Sequence, residues 1–338
     1  MDTALFDYHL PPELIAQHAI EPRDQARLLV VPRCGPFQHR RVCELPELLA
    51  PGDLLVFNRS RVIPARLFAR TAHGGQREVL LVHAEAEPGQ WRVLIGGRVQ
   101  LGQVLELAGI AATVTALHED GTRSLRFPAD CDVLALAEAH GTVPLPPYIA
   151  RPATAHDRAR YQTVYADRPG SVAAPTAGLH FTEELLQRLA ERGVARAFVE
   201  LHIGPGTFKP IDTAAVEDFR IHAEWACCPA ETVAAIAAAR ARGRRVIAVG
   251  TTVVRTLESA ARQPQGLAPW QGWTSLYLHP PQRFCVVDAL FTNFHLPRST
   301  LLALVACLTG LERWREAYET AVRERYRFLS YGDACFFC

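Results

Sequence analysis

Six short apolar runs follow one another between Arg61 and Phe127, separated by turn residues such as Gly74-Gly75, Gly96-Gly97 and Asp120-Gly121. None of the runs is as long as a typical helix, and short strands at such spacing are typical of a small antiparallel barrel or sandwich. The pattern predicts strands at residues 62–68, 78–83, 91–95, 104–107, 112–117 and 122–127. A proline-rich stretch, residues 143–148, cannot continue a helix or a central strand and ends this all-β region.

The segments on either side of the all-β region alternate between helical and strand patterns. Thr182 caps a predicted helix that stops at Gly193. Further predicted elements are a strand at 197–203, a helix at 231–242, a strand at 245–249, a helix from about 253 and, near the beginning, a helix at 12–17 and strands at 27–31 and 53–57. We therefore expect an α/β fold, with a larger α/β core domain from residues 1–60 and 151–338 and a smaller inserted all-β barrel-like domain at residues 61–150.

The composition indicates where the protein works more clearly than which reaction it catalyses. The sequence has no uncharged apolar run near the length of about 20 residues that a membrane span needs, and its nine scattered cysteines do not form a disulfide pattern. We expect a cytoplasmic protein with no membrane contact. The net charge of +1 leaves a nucleic-acid partner open. Two short motifs do not indicate a site. Cys335-x-x-Cys338 has no second cysteine pair, which argues against a zinc or redox site, and Gly204-x-Gly206 lacks the third glycine of a dinucleotide-binding motif.

The predicted strand at 197–203 carries a carboxylate and an imidazole on one face. The two-residue period of a strand places Glu200 and His202 together. The tight loop Gly204-Pro205-Gly206-Thr207 follows directly, and ligands of α/β folds collect at such strand ends. A solvated edge strand with two outward polar residues explains the same pattern.

The strand at 245–249 is followed by Gly250-Thr251-Thr252 and then by a helix. Free backbone N–H groups at a helix N-terminus bind anions, such as a carboxylate or a phosphate. Arg255, one turn further along the helix, fits the same anion site. An ordinary threonine cap is the alternative.

Several other polar residues lie in loops that follow predicted strands or precede helices. Asn293 and His295 stand between phenylalanines in the loop 291–297 and are suited to holding or protonating a purine, although a lone histidine is more often structural. His180 ends the segment 174–180, which also contains Thr176 and Gly178. Further acid and base groups are His222 and Glu224.

Taken in order, these motifs resemble the S-adenosylmethionine:tRNA ribosyltransferase-isomerase family of queuosine biosynthesis over nearly the whole chain. Among the matching stretches are the run from Gly52 to Asn58 leading to Arg61-Val62-Ile63-Pro64-Ala65-Arg66, and Leu145-Pro146-Pro147-Tyr148-Ile149. The others are residues 12–16 with 27–29, 161–165, 173–181, 201–208, 250–252, 255–259, 288–297 and 326–334.

The resemblance implies a reaction and its two substrates. The ribosyl group of S-adenosylmethionine joins the aminomethyl group of 7-aminomethyl-7-deazaguanine at the tRNA wobble position and is isomerised, which gives epoxyqueuosine and releases adenine and methionine. No metal or separate cofactor is implied, and we expect a monomer. The sulfonium acidifies the neighbouring ribose carbon, so the reaction needs a general base, and the departing adenine needs an acid or hydrogen-bond donors.

The residues in the matching motifs supply candidates for these roles. The catalytic candidates are His180, Glu200, His202, His222, Glu224, Asn293, His295 and Asp333. We expect His180 or His202 to be the base and Asn293 with His295 to hold adenine. The substrate-binding candidates are Thr176, Gly178, Gly204, Gly206, Thr207, Gly250, Thr251, Thr252 and Arg255.

The tRNA must present its modified base unstacked, because enzymes that act on a base extrude it, and loop bases are the easiest to extrude. Basic residues near the motifs are candidates for phosphate contacts, with a solvated surface role as the alternative for each. These RNA-binding candidates are Arg23, Arg27, Arg61, Arg66, Arg298 and Arg327.

Without the resemblance, two other functions fit the residues. One is an α/β hydrolase or another transferase acting on a small anionic metabolite at Gly250-Thr251-Thr252, although the sequence contains no G-x-S-x-G nucleophile motif. The other is a non-catalytic RNA-binding protein, which would bind tRNA but release no adenine from S-adenosylmethionine.

Overall fold

The computed structural model describes residues 1–208 and 210–338, without the side chains of Thr207 and Phe208. The strands of the first half of this described part are β1 (Arg27–Val31), β2 (Gln38–Arg41), β3 (Leu54–Asn58), β4 (Ser60–Val62), β5 (Arg66–Thr71), β6 (Gln76–Ala84), β7 (Gln90–Ile95), β8 (Val104–Leu107), β9 (Ile110–Leu117) and β10 (Arg123–Arg126). The second half contributes β11 (Arg168–Ser171), β12 (Ala195–Leu201), β13 (Glu224–Cys228), β14 (Val246–Val249), β15 (Trp270–Thr274), β16 (Ala289–Asn293) and β17 (Ala334–Phe337).

The α-helices lie mostly in the second half of the chain. They are α1 (Leu45–Leu48), α2 (Val133–His140), α3 (Ala155–Arg160), α4 (Glu183–Glu191), α5 (Ala230–Ala241), α6 (Thr251–Ala261), α7 (Thr300–Thr309) and α8 (Leu311–Arg323). Short 3-10 helices are Thr3–Phe6, Pro12–Leu14, Arg23–Gln25, Val42–Glu44, Thr176–His180, Pro205–Phe208 and Val216–Asp218. None of the helices in the described residues is both long and apolar enough to cross a membrane.

Nine strands form the larger sheet, in the order β15-β13-β12-β3-β14-β16-β17-β1-β2. The four central strands β12, β3, β14 and β16 are mutually parallel. Their carboxyl ends therefore meet at one edge of the sheet, which is where ligands of open α/β sheets bind. The antiparallel β17 follows β16 and pairs on its other side with β1.

Both faces of this sheet are buried, as expected for parallel strands covered by helices. Alternate residues of β3 point to opposite sides: Leu54 and Val56 pack in one apolar core with residues of α5, α6 and α7. Leu55 and Phe57 pack in the other core with residues of α4. The five residues of β3 are all buried, so this strand is the centre of the fold.

The all-β segment is a closed barrel with the strand order β10-β7-β6-β5-β8-β9. The six predicted strands are present, and the predicted fold class, an α/β core with a smaller barrel, is confirmed. The first barrel strand begins at Arg66 rather than at Val62, because β4 pairs with β11 in a separate two-stranded sheet. The domain boundaries at residues 61 and 150 stay a prediction.

Two predicted elements differ from the structure. The helix predicted at 12–17 is wrong: only Pro12–Leu14 form a 3-10 turn. The N–H of Ala16 donates to the carbonyl of Phe328 at 3.2 Å, so the chain here pairs with a distant segment rather than with its own preceding turn. The apolar pair Val286-Val287 before the loop 291–297 also predicts a strand from the sequence, but β16 begins only at Ala289.

Candidate active site

A cleft opens where the parallel strands β3, β12, β14 and β16 end. We call it the sheet-end cleft, and its principal polar lining consists of Thr176, Gly250, Thr251, Thr252, Asn293 and His295. It contains about 740 Å³ of space, its open mouth included. All six of these residues were predicted from the sequence, as binding or catalytic candidates.

The cleft is organised by Asn58, the last residue of β3, which is fully buried. Its Oδ1 accepts the N–H groups of Ser60 at 3.0 Å and Leu201 at 3.1 Å. Its Nδ2 donates to the carbonyl of Leu201 at 3.0 Å and to Oγ1 of Thr252 at 3.3 Å. One side chain thus ties together the ends of β3 and β12 and the start of α6.

The N-terminus of α6 faces the sheet-end cleft. Gly250 has φ +97° and provides no side chain to cap the helix, so the first-turn N–H groups remain without a side-chain acceptor. Such an N-terminus attracts an anion through its N–H groups and the helix dipole. The geometry therefore agrees with the anion site predicted at Gly250-Thr251-Thr252.

Arg255 takes no part in that anion site. Its guanidinium is buried and forms an ion pair with Glu224, and its Nε donates to the carbonyl of Leu276 at 3.2 Å. Oε1 of Glu224 also accepts the N–H of Gly204 at 2.9 Å. The expectation that Arg255 binds the anion is corrected by this pairing, which directs the guanidinium toward Glu224 and Leu276.

Asn293 lines the sheet-end cleft and has an unused hydrogen-bond acceptor. Its Nδ2 donates to Nε2 of His180 at 3.1 Å and to the carbonyl of Leu329 at 3.2 Å. Its Oδ1 is buried and has no hydrogen-bond partner among the described residues. A buried acceptor without a partner is unfavourable, so this oxygen is suited to a donor group of a ligand.

Two of the predicted site histidines, His180 and His295, are held neutral by burial, and His295 lines the sheet-end cleft. Burial lowers the pKa of His180 to about 3, and the Arg160 charge acts in the same direction. Burial also lowers the pKa of His295 to about 3. Because Nε2 of His180 accepts from Asn293, the ring proton lies on Nδ1 and no lone pair is left for catalysis. His295 is fixed by Tyr318, whose hydroxyl accepts its backbone N–H at 3.1 Å.

A second cleft lies between the barrel and the sheet. We call it the aromatic cleft, and its lining includes His83, Trp91, Gly170, His202, Trp225 and Trp273. Nε2 of His202 lies 2.7 Å from Oε1 of Glu200, so the carboxylate and imidazole predicted on one strand face are paired. The His202 ring lies 5.0 Å from the Trp225 ring, centroid to centroid.

The two clefts are neighbours, divided by two paired segments. Ile203 lines the sheet-end cleft, whereas His202 and Gly204 on either side of it line the aromatic cleft. The N–H of Val172 donates to the carbonyl of Ile203 at 2.9 Å. Gly170 lies against the His202 ring, and a Cβ added to it would approach Cε1 of that ring to 2.6 Å.

Several other predicted site residues lie outside the two clefts. Gly178 packs against the Tyr165 hydroxyl, and Gly206 packs against the exposed His222 beside the Glu224–Arg255 pair. Asp333 is buried, and its carboxylate accepts the N–H groups of Arg27 at 2.9 Å and Arg327 at 2.8 Å. Asp333 therefore joins two segments that are distant in the sequence, and it does not line either cleft. The predicted side-chain contact of Thr207 falls outside the described part of the chain.

The predicted RNA-binding arginines differ in whether their side chains form hydrogen bonds or ion pairs within the protein. Four donate hydrogen bonds or form ion pairs in the fold: Arg23 with the Gln162 carbonyl, Arg27 with the Glu324 carbonyl, Arg61 with Glu138, and Arg66 with Glu78. Arg327 donates to the carbonyl of His18. Arg298 is exposed and precedes Ser299, which lines the sheet-end cleft, and no side-chain partner for Arg298 occurs among the described residues.

Sequence reasoning missed Asn58 and the aromatic residues of the second cleft. Asn58 ends an apolar strand, and a polar residue at that place is a usable signal. His83, Trp225 and Trp273 were not found, because they come from the barrel and from strands β13 and β15, whose placement depends on the tertiary fold. Within the described residues, no group of three or more His, Cys, Asp or Glu side chains is placed to hold a metal ion.

Comparison with known proteins agrees with these features. The family model described as "Queuosine biosynthesis protein" matches residues 3–337. The chain belongs to this family. The S-adenosylmethionine:tRNA ribosyltransferase-isomerase of Thermus thermophilus is 56% identical over 342 residues, covering 97% of each protein. The enzyme of the same name from Thermotoga maritima is 49% identical and covers 99% of each.

A solved structure extends the match to three dimensions. The crystal structure of the S-adenosylmethionine tRNA ribosyltransferase from Thermotoga maritima covers 99% of this chain and 100% of its own, at 41% identity and a TM-score of 0.58. The match to this family therefore includes both the α/β sheet and the barrel.

The two buried neutral histidines predict acid sensitivity of this family member. In the unfolded chain a histidine has a pKa near 6.5, so as the pH falls below that value the unfolded state binds protons that the folded state, with a pKa of about 3 at both sites, does not. Stability is then lost progressively from pH 6.5 toward pH 3. Measured by urea unfolding, the free energy of unfolding should decrease below pH 6.5 by up to about 1.4 kcal/mol per pH unit for each histidine.

The double variant His180→Asn, His295→Asn should show a flatter dependence of the unfolding free energy between pH 7 and 5. The exposed His73 provides a control, and the single variant His73→Asn should keep the slope of the parent chain. An unchanged slope in the double variant would contradict the assignment of neutral histidines.

Proposed function

We propose that this chain transfers the ribosyl group of S-adenosylmethionine to the aminomethyl group of 7-aminomethyl-7-deazaguanine at the tRNA wobble position and isomerises it, forming epoxyqueuosine in tRNA with release of adenine and methionine. The observation that carries the proposal is the nearly full-length match, at 56% identity, to a relative named for that activity. The enzyme works as a cytoplasmic monomer, with S-adenosylmethionine as a substrate and no separate cofactor.

The sheet-end cleft has the chemistry to bind S-adenosylmethionine. Its methionine carboxylate fits the uncapped N-terminus of α6 at Thr251 and Thr252. The adenine amino group is a donor and matches the unpartnered Oδ1 of Asn293. His295, neutral and rigidly held, lines the same cleft and completes the adenine site.

A general base is needed because the sulfonium acidifies the neighbouring ribose carbon. His202 fills this role better than His180, whose Nε2 lone pair is engaged by Asn293. With Glu200 accepting from Nε2 of His202, the lone pair of the neutral ring lies on Nδ1. His202 takes the proton of the carbon bonded to sulfur. Over the whole reaction the bond from the ribosyl carbon to adenine breaks with its electron pair on adenine, which takes up a proton. The aminomethyl nitrogen loses a proton as it bonds to the ribosyl group, and the carbon–sulfur bond breaks with its electron pair on methionine.

The tRNA approaches with its wobble base unstacked, and the barrel and the core contribute to its binding. We propose residues 1–60 and 151–338 as the α/β catalytic core and residues 61–150 as the inserted barrel domain. Among the predicted arginines, Arg298 is the best candidate for a phosphate contact, because it is exposed, precedes the cleft residue Ser299 and has no side-chain partner among the described residues.

Incubation with S-adenosylmethionine and tRNA carrying the aminomethyl-deazaguanine base tests the activity itself. Mass analysis of the RNA should show the added ribosyl-derived group, and free adenine should appear in equal amount. A methylated RNA would contradict the proposal, as would binding of the tRNA without any release of adenine.

Asn293→Ala should lower the rate of adenine release by roughly 10- to 100-fold, since a buried hydrogen bond to the substrate is lost together with the support that His180 gives to it. Steady-state release of adenine at saturating tRNA measures the effect. Gln187 carries the same amide group on the exposed face of α4, and Gln187→Ala should leave the rate within twofold. Equal rates for the two variants would remove Asn293 from the adenine site.

Gly170→Ala should lower kcat because the added Cβ, 2.6 Å from Cε1 of His202, must displace the catalytic ring. The KM for S-adenosylmethionine should change little, since Gly170 lies outside the sheet-end cleft. Gly243→Ala is the matched control: it also has positive φ, yet a Cβ there meets nothing within 4 Å. A normal kcat for a folded Gly170→Ala enzyme would argue against His202 as the base.

A further inference from the structure

We infer that the aromatic cleft receives the unstacked acceptor base of the RNA, with the aminomethyl substituent directed to the Glu200–His202 pair. This inference rests on the proposed function, because it assigns the second substrate of the same reaction to a separate site. The occupant is a single flat heteroaromatic base that carries a cationic amine.

The two tryptophans of the cleft form a stacking surface on the sheet. Trp225 of β13 and Trp273 of β15 are directly opposite each other in the antiparallel register, so their side chains lie on the same face. Trp273 is 54% exposed, an unusual position for so large an apolar side chain. Stacking on aromatic side chains is the general way in which proteins hold unstacked bases.

The opposite wall of the cleft comes from the barrel. The His83 ring meets the Trp273 ring edge-on at 4.8 Å between centroids. The His83 ring of the barrel and the Trp273 ring of the sheet are thus in contact where the two walls of the aromatic cleft meet. The cleft contains about 930 Å³ of space, its open mouth included, and this open form suits a base that arrives attached to a large polynucleotide.

The charges in the two clefts favour different substrates. The Glu200 carboxylate beside His202 complements the ammonium form of an aminomethyl group, and aromatic faces also attract cations. S-adenosylmethionine carries a carboxylate as well as its sulfonium and ammonium, and the N-terminus of α6 in the sheet-end cleft provides a site for that carboxylate, which the aromatic cleft with its Glu200 carboxylate lacks. The donor therefore belongs in the sheet-end cleft and the acceptor base in the aromatic cleft.

The border between the clefts brings the two substrates together. His202 faces the aromatic cleft, and the next residue, Ile203, faces the sheet-end cleft. A base stacked on Trp225 presents its amine near His202, which is also the place where the ribose of the donor must react.

Trp273→Ala tests the stacking site. Direct titration of the full-length protein with an anticodon stem-loop RNA carrying the aminomethyl base, without S-adenosylmethionine, should show a loss of affinity of roughly 10-fold or more. Trp273→Phe should restore most of it, because a phenyl ring also stacks. The KM for S-adenosylmethionine, measured by adenine release, should change less than twofold in both variants.

Phe68 provides the matched control, since it is 50% exposed on the barrel and lies outside the lining of the cleft. Phe68→Ala should leave the RNA affinity unchanged. Unchanged RNA affinity in Trp273→Ala would overturn the inference, and so would a raised KM for S-adenosylmethionine, which would place the donor in the aromatic cleft.

Glu200→Gln tests the position of the amine. The wild-type protein should prefer stem-loop RNA with the aminomethyl base over the same RNA with guanine, and the variant should lose several-fold of this preference. Equal preference in both proteins would overturn the placement of the amine. Failure of the proposed reaction is distinguishable, because it would appear as no adenine release by the wild type, whereas these titrations measure binding alone.

Discussion

The amide of Asn58 is the interaction on which the arrangement of both clefts depends. Parallel strands bring their carboxyl ends to one edge, but their ends diverge unless something joins them. Asn58 makes four hydrogen bonds there, to Ser60, to both backbone groups of Leu201, and to Thr252. A buried amide with all of these groups satisfied rigidifies its surroundings, so the helix N-terminus of one cleft and the Glu200–His202 strand end of the other are held in fixed relation.

The sequence was informative where local chemistry decides the structure. The period-two pattern placed Glu200 and His202 together, and the glycine with two threonines marked the start of α6. The barrel was predictable for the same reason, because six short runs between turns leave few other folds. Its first strand was placed four residues early, since residues 60–62 pair outside the barrel.

Other features depend on contacts that no local pattern reveals. Residues 12–17 have helical character, yet Ala16 bonds to Phe328 more than 300 positions away. Arg255 has the right spacing for an anion site, and only the tertiary fold shows that its guanidinium forms an ion pair with Glu224 instead. The aromatic cleft was missed because its rings come from the barrel, β13 and β15, which are far apart along the chain and meet only once both domains are assembled.

The position of β17 has a consequence for how the chain folds. This strand, Ala334–Phe337, lies between β16 and β1, so β1 and β2 join the rest of the large sheet only through it. β1 and β2 can therefore pair with the rest of the sheet only after residues some 300 positions later have folded against them. Contacts of such long range slow folding and leave apolar strand edges open in the meantime. During synthesis on the ribosome, the barrel is able to close early, while the sheet that carries the clefts is completed last.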